Sequence, residues 1–225
     1  MNNICIIPAR GGSKRVPKKN LKNFLGFPII SYAIIVAKKS KLFSKIIVST
    51  EDKEIAKISK KYGAEIHYRP KKLSDDITGT NAVICDVINS YQKKIKINIV
   101  CCIYPTSVFC TTIFLKKALT LLDKKTKYVF TASKYNHSIF RSFLKKKKIS
   151  MLFPKKEKKR TQDLPPAYHD AAQFYFGWKE SWLKNKSIFN KYSKFIEIDE
   201  HKTQDIDNLL DWKIAEAKYL KVKQR

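Results

Sequence analysis

Short apolar runs alternate with segments of helical spacing through the first 132 residues, and this alternation constrains the fold more than any other feature. The predicted strands are Ile4–Ala9, Lys45–Thr50, Glu65–Arg69, Ile97–Tyr104 and Tyr128–Ala132. The predicted helices are Ile29–Lys39, Glu51–Tyr62, Thr80–Tyr91 and Thr112–Leu122. Strands and helices that alternate at this spacing form βαβ units, which predict an α/β fold with a mostly parallel sheet and helices on both faces. Ligands of such sheets lie at the carboxyl ends of the strands.

The alternation stops in the segment 137–167. This segment contains a lysine run at 145–148, the apolar stretch ISMLF and the pair Pro165-Pro166. Such a composition predicts a β-hairpin or an extended arm outside the central sheet, which would serve as a dimerisation element or as a mobile flap. Because neither a repeat nor a second domain is recognisable, we expect residues 1–225 to form one domain with this insertion.

After the arm, strands are predicted again at Gln173–Phe176 and Phe195–Ile198. A last helix is predicted over Ile206–Val222. Its apolar side chains on one face are Leu209, Leu210, Ile214, Ala217 and Leu220.

The chain carries a net charge of +28, which first suggests a nucleic-acid partner. Only six of its 47 basic residues are Arg, however, and the Lys residues are spread along the whole chain. Proteins that read base edges rely on Arg forks, so the charge is better interpreted as a solvated surface. Such a surface still attracts anionic substrates such as nucleotides and sugar acids.

The five cysteines are odd in number and include no CxxC pair, which argues against a disulfide framework and against a zinc site. No apolar run reaches the roughly 18 residues of a membrane helix, and no secretory signal opens the chain. We therefore expect a cytoplasmic protein without a membrane or nucleic-acid partner.

The loop after the first strand, within the stretch IIPARGGSKRVPKKN, is the strongest chemical signal. Two glycines allow backbone amides to approach an anion closely, and consecutive amides of this kind form an anion-binding nest. Four of the five basic residues between positions 10 and 19 are candidate phosphate partners: Arg10, Lys14, Arg15 and Lys19. Neither a Walker loop nor a dinucleotide fingerprint is present. The pattern favours a site for the triphosphate of a nucleotide.

Together with this loop, the motifs IIVST, RP-x-x-LS-x-D, YPTS and QDID resemble those of the nucleotide-sugar cytidylyltransferases that activate acidic nonulosonates. The resemblance covers nearly the whole chain and implies a Rossmann-like nucleotide-sugar nucleotidyltransferase fold. It also implies transfer of CMP from CTP to the anomeric hydroxyl of an acidic nine-carbon sugar, with release of pyrophosphate, Mg²⁺ as cofactor and a homodimer.

The resemblance also implies the site residues. Lys19, Arg10 and Lys14 would be catalytic, with Lys19 against the α-phosphate, since charge neutralisation carries phosphoryl-type transfer. The nucleotide-binding residues would be Pro8, Ala9, Arg10, Gly11, Gly12, Ser13, Lys14, Asn20, Arg69, Thr80 and Tyr104. Tyr104 stands where sialic-acid relatives often have Gln.

Asp205 and Asp207 lie two residues apart before the last helix. Two such carboxylates can bind one Mg²⁺, which prefers hard oxygen ligands. Without the resemblance, capping of the last helix would be the favoured role for them. Asp207 can in principle do both.

The segment AYHDAAQFYFG resembles pseudaminic acid cytidylyltransferases more than sialic-acid enzymes, in which an Arg and an Asn stand at the positions of His169 and Ala171. Tyr104, His169, Asp170 and Gln173 are therefore the predicted sugar contacts, with Asp170 alternatively orienting His169. Arg141 or Arg160 would meet the sugar carboxylate.

Three alternatives remain open at this point. The first is a CMP synthetase for another acidic sugar, namely N-acetylneuraminate, legionaminate or 3-deoxy-octulosonate. The second is a nucleic-acid-binding protein, which the net charge suggests. The third is a non-catalytic relative that only binds nucleotide.

Overall fold

The computed structural model describes residues 2–145, 147–184 and 187–224. Its strands are β1 (Asn3–Pro8), β2 (Asn23–Phe24), β3 (Phe27–Pro28), β4 (Lys45–Thr50), β5 (Glu65–Tyr68), β6 (Ile99–Ile103), β7 (Tyr128–Lys134), β8 (Phe143–Lys145), β9 (Ile149–Met151), β10 (Tyr168–Trp178) and β11 (Lys194–Glu197). Its helices are α1 (Ile29–Ser40), α2 (Lys53–Lys61), α3 (Thr80–Tyr91), α4 (Thr112–Leu121), α5 (Lys179–Leu183) and α6 (Leu209–Lys223).

Seven strands form one sheet in the order β11-β7-β10-β6-β1-β4-β5. Strand β10 runs antiparallel to both β6 and β7, whereas the remaining pairs are parallel. The predicted α/β fold with a mostly parallel sheet is confirmed. Strand β1 lies between β4 and β6 in the interior of the sheet and delivers the basic loop to the sheet's carboxyl edge.

Helices cover both faces of the sheet. Successive side chains of a strand point to opposite faces, so an apolar strand presents apolar side chains on both, and each face needs helices to bury them. On β1, Cys5 and Ile7 pack in the core cluster that contains apolar residues of α1, α2 and α4. Ile4 and Ile6 point to the other face, where they join residues of α3 and α5. A strand buried on both faces is therefore apolar at nearly every position, as the sequence of β1 shows.

Helix α6 packs with a different face from the predicted one. Its buried residues are Trp212 and Ala215, which join Phe24 in a third core cluster. The predicted face is mostly exposed, and Leu210 keeps 66% of its surface in solvent. The helix is capped by Asn208, whose side chain accepts the backbone N–H of Leu210 and Asp211.

The predicted arm contains a hairpin of its own. Strands β8 and β9 form a separate two-stranded antiparallel sheet, in which Phe143 faces Met151. The lysine run at 145–148 includes residue 146, which lies outside the described residues. None of the described helices is both long and apolar enough to span a membrane.

Candidate active site

A cavity of about 410 Å³ opens at the carboxyl ends of β1 and β6, next to the segment that precedes α6. Its lining residues are Pro8, Arg10, Ser13, Lys14, Arg15, Val16, Lys19, Asn20, Thr80, Tyr104, Pro105, Thr106 and Asp205. A smaller cavity of about 190 Å³ shares Pro8, Arg10, Thr80 and Tyr104 with it and adds Arg69 and Asp76. The structure thus brings most of the predicted nucleotide residues to one place, at the sheet edge where ligands of this fold class lie.

Three predicted nucleotide residues do not line these cavities. Ala9 is fully buried in the core. The backbone N–H of Gly11 donates to Glu51 Oε1 at 2.7 Å, so this amide is already paired with a carboxylate. A Cβ at Gly11 would lie 2.5 Å from Asp52 Oδ2, which explains the glycine by close packing, whereas Gly12 has open space around it. The sequence predicted an anion-binding nest of consecutive amides in this loop, but the amide of Gly11 is bonded to Glu51 instead.

Arg10 and Lys14 share one carboxylate in this structure. Lys14 Nζ lies 2.6 Å from Asp76 Oδ2, and Arg10 Nη1 forms an ion pair with the other oxygen of the same carboxylate. Arg10 also donates to the backbone oxygen of Asp75 at 3.2 Å. The hydrogen bonds from Lys14 and Arg10 lower the pKa of Asp76 to about 2. Asp76 is therefore ionised and pairs with Arg10 and Lys14, the two cations that were predicted to bind phosphate.

Lys19 contacts Ile206, the residue that separates the two predicted metal ligands in the sequence. Its Nζ donates to the backbone oxygen of Ile206 at 2.6 Å. Burial lowers the pKa of the Lys19 ammonium, while the negative charges of Asp207 and Asp205 oppose that shift. The lysine is thereby fixed in the cavity beside both carboxylates.

Asp205 and Asp207 do not cap α6, because Asn208 holds that position and Asp211 completes the capping box by accepting the N–H of Asn208. The capping alternative, including a double role for Asp207, is wrong. Asp207 instead pairs with Arg15 at 2.7 Å. Although Asp205 keeps contact with solvent, partial desolvation and the charge of Asp207 raise the pKa of its carboxyl.

These carboxylates suit a divalent cation that is also held by the substrate. No group of three or more His, Cys, Asp or Glu side chains in the described part of the chain could hold a metal ion. Mg²⁺ usually takes one or two carboxylates together with phosphate oxygens and water. Asp205 lines the cavity and Asp207 lies two residues further on, paired with Arg15, so the two carboxylates would offer such an ion two oxygen ligands.

A second cavity of about 330 Å³ shares one lining residue with the first. It is lined by His169, Asp170, Ala171, Glu200, Thr203, Gln204, Asp205 and Lys218. Asp205 lines both cavities. A group bound in the second cavity would therefore lie next to phosphates bound in the first.

Gln173 does not line this second cavity. Its side chain is buried and its Nε2 donates to the backbone oxygen of Lys202 at 2.8 Å. It ties β10 to the turn that precedes Asp205, and the predicted direct sugar contact of Gln173 stays a prediction. Arg141 and Arg160 are also placed elsewhere. Arg141 donates to backbone oxygens within the arm, and Arg160 pairs with Asp163 at 2.8 Å.

The Asp170 carboxylate does not orient His169. It accepts the backbone N–H of Ala172 at 3.0 Å and the hydroxyl of Tyr175. His169 Nδ1 lies 3.0 Å from the backbone oxygen of Asp170. The register of β10 shifts between Asp170 and Tyr175, and Ala172 there has φ +48°, a left-handed conformation that a non-glycine residue rarely adopts.

Tyr104 lines the first cavity and contacts Asp170 of the second one indirectly, through Tyr175. Its hydroxyl lies 3.2 Å from Thr80 Oγ1 in the nucleotide cavity, and its ring packs edge-on against Tyr175, which in turn bonds Asp170. Burial raises the pKa of both tyrosines. Sequence reasoning missed Tyr175 and Asp76, because their partners are distant in sequence.

A basic loop after the first strand of a mostly parallel sheet, with two carboxylates nearby, is an arrangement suited to nucleotidyl transfer. The fold agrees with the nucleotidyltransferase class. The CMP:2-keto-3-deoxy-manno-octonic acid synthetase in complex with CTP aligns over 100% of both chains with a TM-score of 0.71 at 13% identity. The 4-diphosphocytidyl-2C-methyl-D-erythritol synthase of Anaerococcus prevotii aligns over 97% of this chain and 96% of its own with a TM-score of 0.66 at 15% identity.

Residues 4–224 match the model of the cytidylyltransferase family, and the chain belongs to that family. A pseudaminic acid cytidylyltransferase of Campylobacter jejuni is 39% identical over 97% of this chain and 97% of its own length. A CMP-N,N'-diacetyllegionaminic acid synthase of Campylobacter jejuni is 30% identical over 95% of this chain and 93% of its own. The resemblance inferred from the motifs is confirmed, and this chain is a nucleotidyltransferase enzyme.

Proposed function

We propose that this enzyme transfers CMP from CTP to the anomeric hydroxyl of pseudaminic acid, forming CMP-pseudaminic acid and releasing pyrophosphate. The observation that carries the proposal is that Asp205 lines both cavities and that Lys19, whose ammonium interacts with the Asp205 charge, lines the first. A nucleotide in the first cavity and a sugar in the second would meet at Asp205. The choice of sugar rests on the 39% identity to a pseudaminic acid cytidylyltransferase over nearly the full length of both chains.

In this mechanism the basic loop binds the triphosphate. Arg10 and Lys14 exchange Asp76 for phosphate oxygens, and Lys19 neutralises charge at the phosphorus that the sugar hydroxyl attacks. Asp205 and Asp207 would hold a Mg²⁺ ion, which supplies further positive charge to the phosphates when bound. Arg69, Thr80 and Tyr104 would contact the nucleoside side. The sugar would lie against His169 and Asp170.

Pyrophosphate release tests the activity and the sugar together. The purified enzyme is incubated with CTP and Mg²⁺ and with either pseudaminic acid or N-acetylneuraminic acid. Turnover is expected with pseudaminic acid, and turnover with N-acetylneuraminic acid is expected to be much lower. Turnover with N-acetylneuraminic acid instead would agree with the enzyme class but contradict pseudaminic acid as the substrate. No release with either sugar, nor with legionaminate or 3-deoxy-octulosonate, would contradict the activity.

We also propose that the enzyme is a homodimer in the cytoplasm. The arm exposes apolar side chains, among them Phe143 at 57% and Ile149 at 70%, and the outer face of α6 exposes Leu210. A second copy of the chain would cover these side chains, since contiguous exposed apolar patches mark interaction sites. The five cysteines are free, which suits a reducing compartment.

Removal of the hairpin tests the dimer. Because Phe143 and Met151 face each other across the hairpin, residues 143–151 can be replaced by a short Gly-Ser connection. We expect the variant to elute as a monomer from a sizing column, because the apolar contact with the second copy is lost. The matched control is Ile77→Ser, which changes an exposed apolar residue outside the arm. A variant that still elutes as a dimer would contradict the proposed role of the arm in dimerisation.

A further inference from the structure

Arg69 is a buried arginine that lines the smaller of the two cavities at the basic loop, and its guanidinium is bonded to Ser49. Its Nε donates to Ser49 Oγ at 3.3 Å and its Nη2 donates to Ser49 O at 2.7 Å. Within the described residues, no carboxylate lies within ion-pair distance of the guanidinium. A guanidinium has five N–H donors, so several remain for a ligand in the cavity that Arg69 lines.

Ser49 connects Arg69 to a histidine that has no role so far. Ser49 and His67 are register partners on the parallel strands β4 and β5. The fully buried Ser49 Oγ lies 3.4 Å from His67 Nδ1. On the other side of the ring, His67 Nε2 lies 3.5 Å from Asp86 Oδ2 on α3, a buried oxygen without a hydrogen-bond partner among the described residues.

Hydrogen bonds link Arg69 to Ser49 and Ser49 to His67, and Asp86 lies 3.5 Å from the far side of the His67 ring without an ordinary hydrogen bond to it. With its proton on Nε2, His67 faces Asp86 as a donor and presents Nδ1 as an acceptor. The Ser49 hydroxyl then donates to Nδ1 and keeps a lone pair for the N–H of Arg69. Burial lowers the pKa of His67, which favours the neutral ring that this arrangement requires, although the charge of Asp86 opposes the shift.

We propose that His67 is a positioning residue for nucleotide binding, which orients Arg69 through the Ser49 hydroxyl without touching the nucleotide. This inference rests on the proposed function, because Arg69 is there a nucleotide contact. A buried arginine that is held on one edge presents its free donors in a fixed direction, so less side-chain freedom is lost when the ligand binds.

The binding of CTP in the presence of Mg²⁺ and without sugar, measured by isothermal titration calorimetry, tests the inference. We expect His67→Ala to bind CTP roughly 10-fold more weakly, the scale seen when the partner that orients a ligand-binding group is removed. His67→Asn places an amide oxygen near the position of Nδ1 and should recover most of the affinity. The matched control is His201→Ala, an exposed histidine, which should bind like the wild type.

The outcomes separate this inference from the proposed function. His67→Ala should raise the KM for CTP and leave kcat at saturating CTP nearly unchanged, which a general loss of folding would not do. Binding of CTP by His67→Ala within two-fold of the wild type would overturn the inference, as would equal losses in the Ala and Asn variants. A wild-type protein that does not bind CTP at all would overturn the proposed function itself.

Discussion

The Lys19→Met variant is expected to lose roughly 10²–10³-fold in kcat, the usual cost of removing one preorganised charge from the reacting centre. The side chain is fixed by its bond to the Ile206 oxygen and lies beside Asp205 and Asp207. Methionine keeps the length and packing of the side chain but removes the charge. The measurement is pyrophosphate release at saturating CTP and sugar.

The matched control for this variant is Lys18→Met. Lys18 is the neighbouring residue, and its ammonium pairs with Glu54 at 2.8 Å on the exposed side of the same loop. Solvent screens an exposed ion pair of this kind, so its loss should cost little stability and this variant should turn over like the wild type. Equal rates for Lys19→Met and the wild type would show that the ammonium of Lys19 is not part of the reaction.

Removing either proposed metal ligand should have an effect of similar size. Asp205→Asn and Asp207→Asn each take away one anionic oxygen that Mg²⁺ prefers. We expect turnover at fixed Mg²⁺ to fall by roughly 10²-fold or more, because charge at the phosphates is then poorly neutralised. The Mg²⁺ concentration that gives half-maximal activity should also rise. Titration of activity with Mg²⁺ measures both effects.

Asp211→Asn is the control for this pair. Asp211 lies on the same turn but accepts the backbone N–H groups of Asp207 and Asn208 as part of the helix cap. Its replacement should lower the free energy of unfolding by about 1 kcal/mol and leave the Mg²⁺ requirement unchanged. An Asp205→Asn enzyme with the Mg²⁺ response of the wild type would contradict the metal site.

The central sheet could be predicted because its signals are local. Strand β4 and helix α3 have the predicted bounds, Lys45–Thr50 and Thr80–Tyr91, since a strand buried on both faces and an amphipathic helix show their periods within one short window. The basic loop follows β1, and its position at the sheet edge follows from the topology alone.

The parts that escaped prediction depend on contacts between distant residues. Helix α6 carries two apolar stripes, and only packing against Phe24 selects the one with Trp212. The β10 bulge at Ala172 places Asp170 against Tyr175, a bond that no local pattern in the sequence indicates. Gln173 likewise has the chemistry of a sugar contact, yet its amide is used by Lys202.

The carboxylate of Asp76 gives Arg10 and Lys14 a counter-ion from within the chain. Under the proposed function, binding of a triphosphate would exchange one anion for another, and the affinity would reflect the difference between the two. The same exchange would run backwards when pyrophosphate leaves, because Asp76 would compete for Arg10 and Lys14 as the product departs. A loop with this many cations would then release a highly charged product without holding it as an inhibitor.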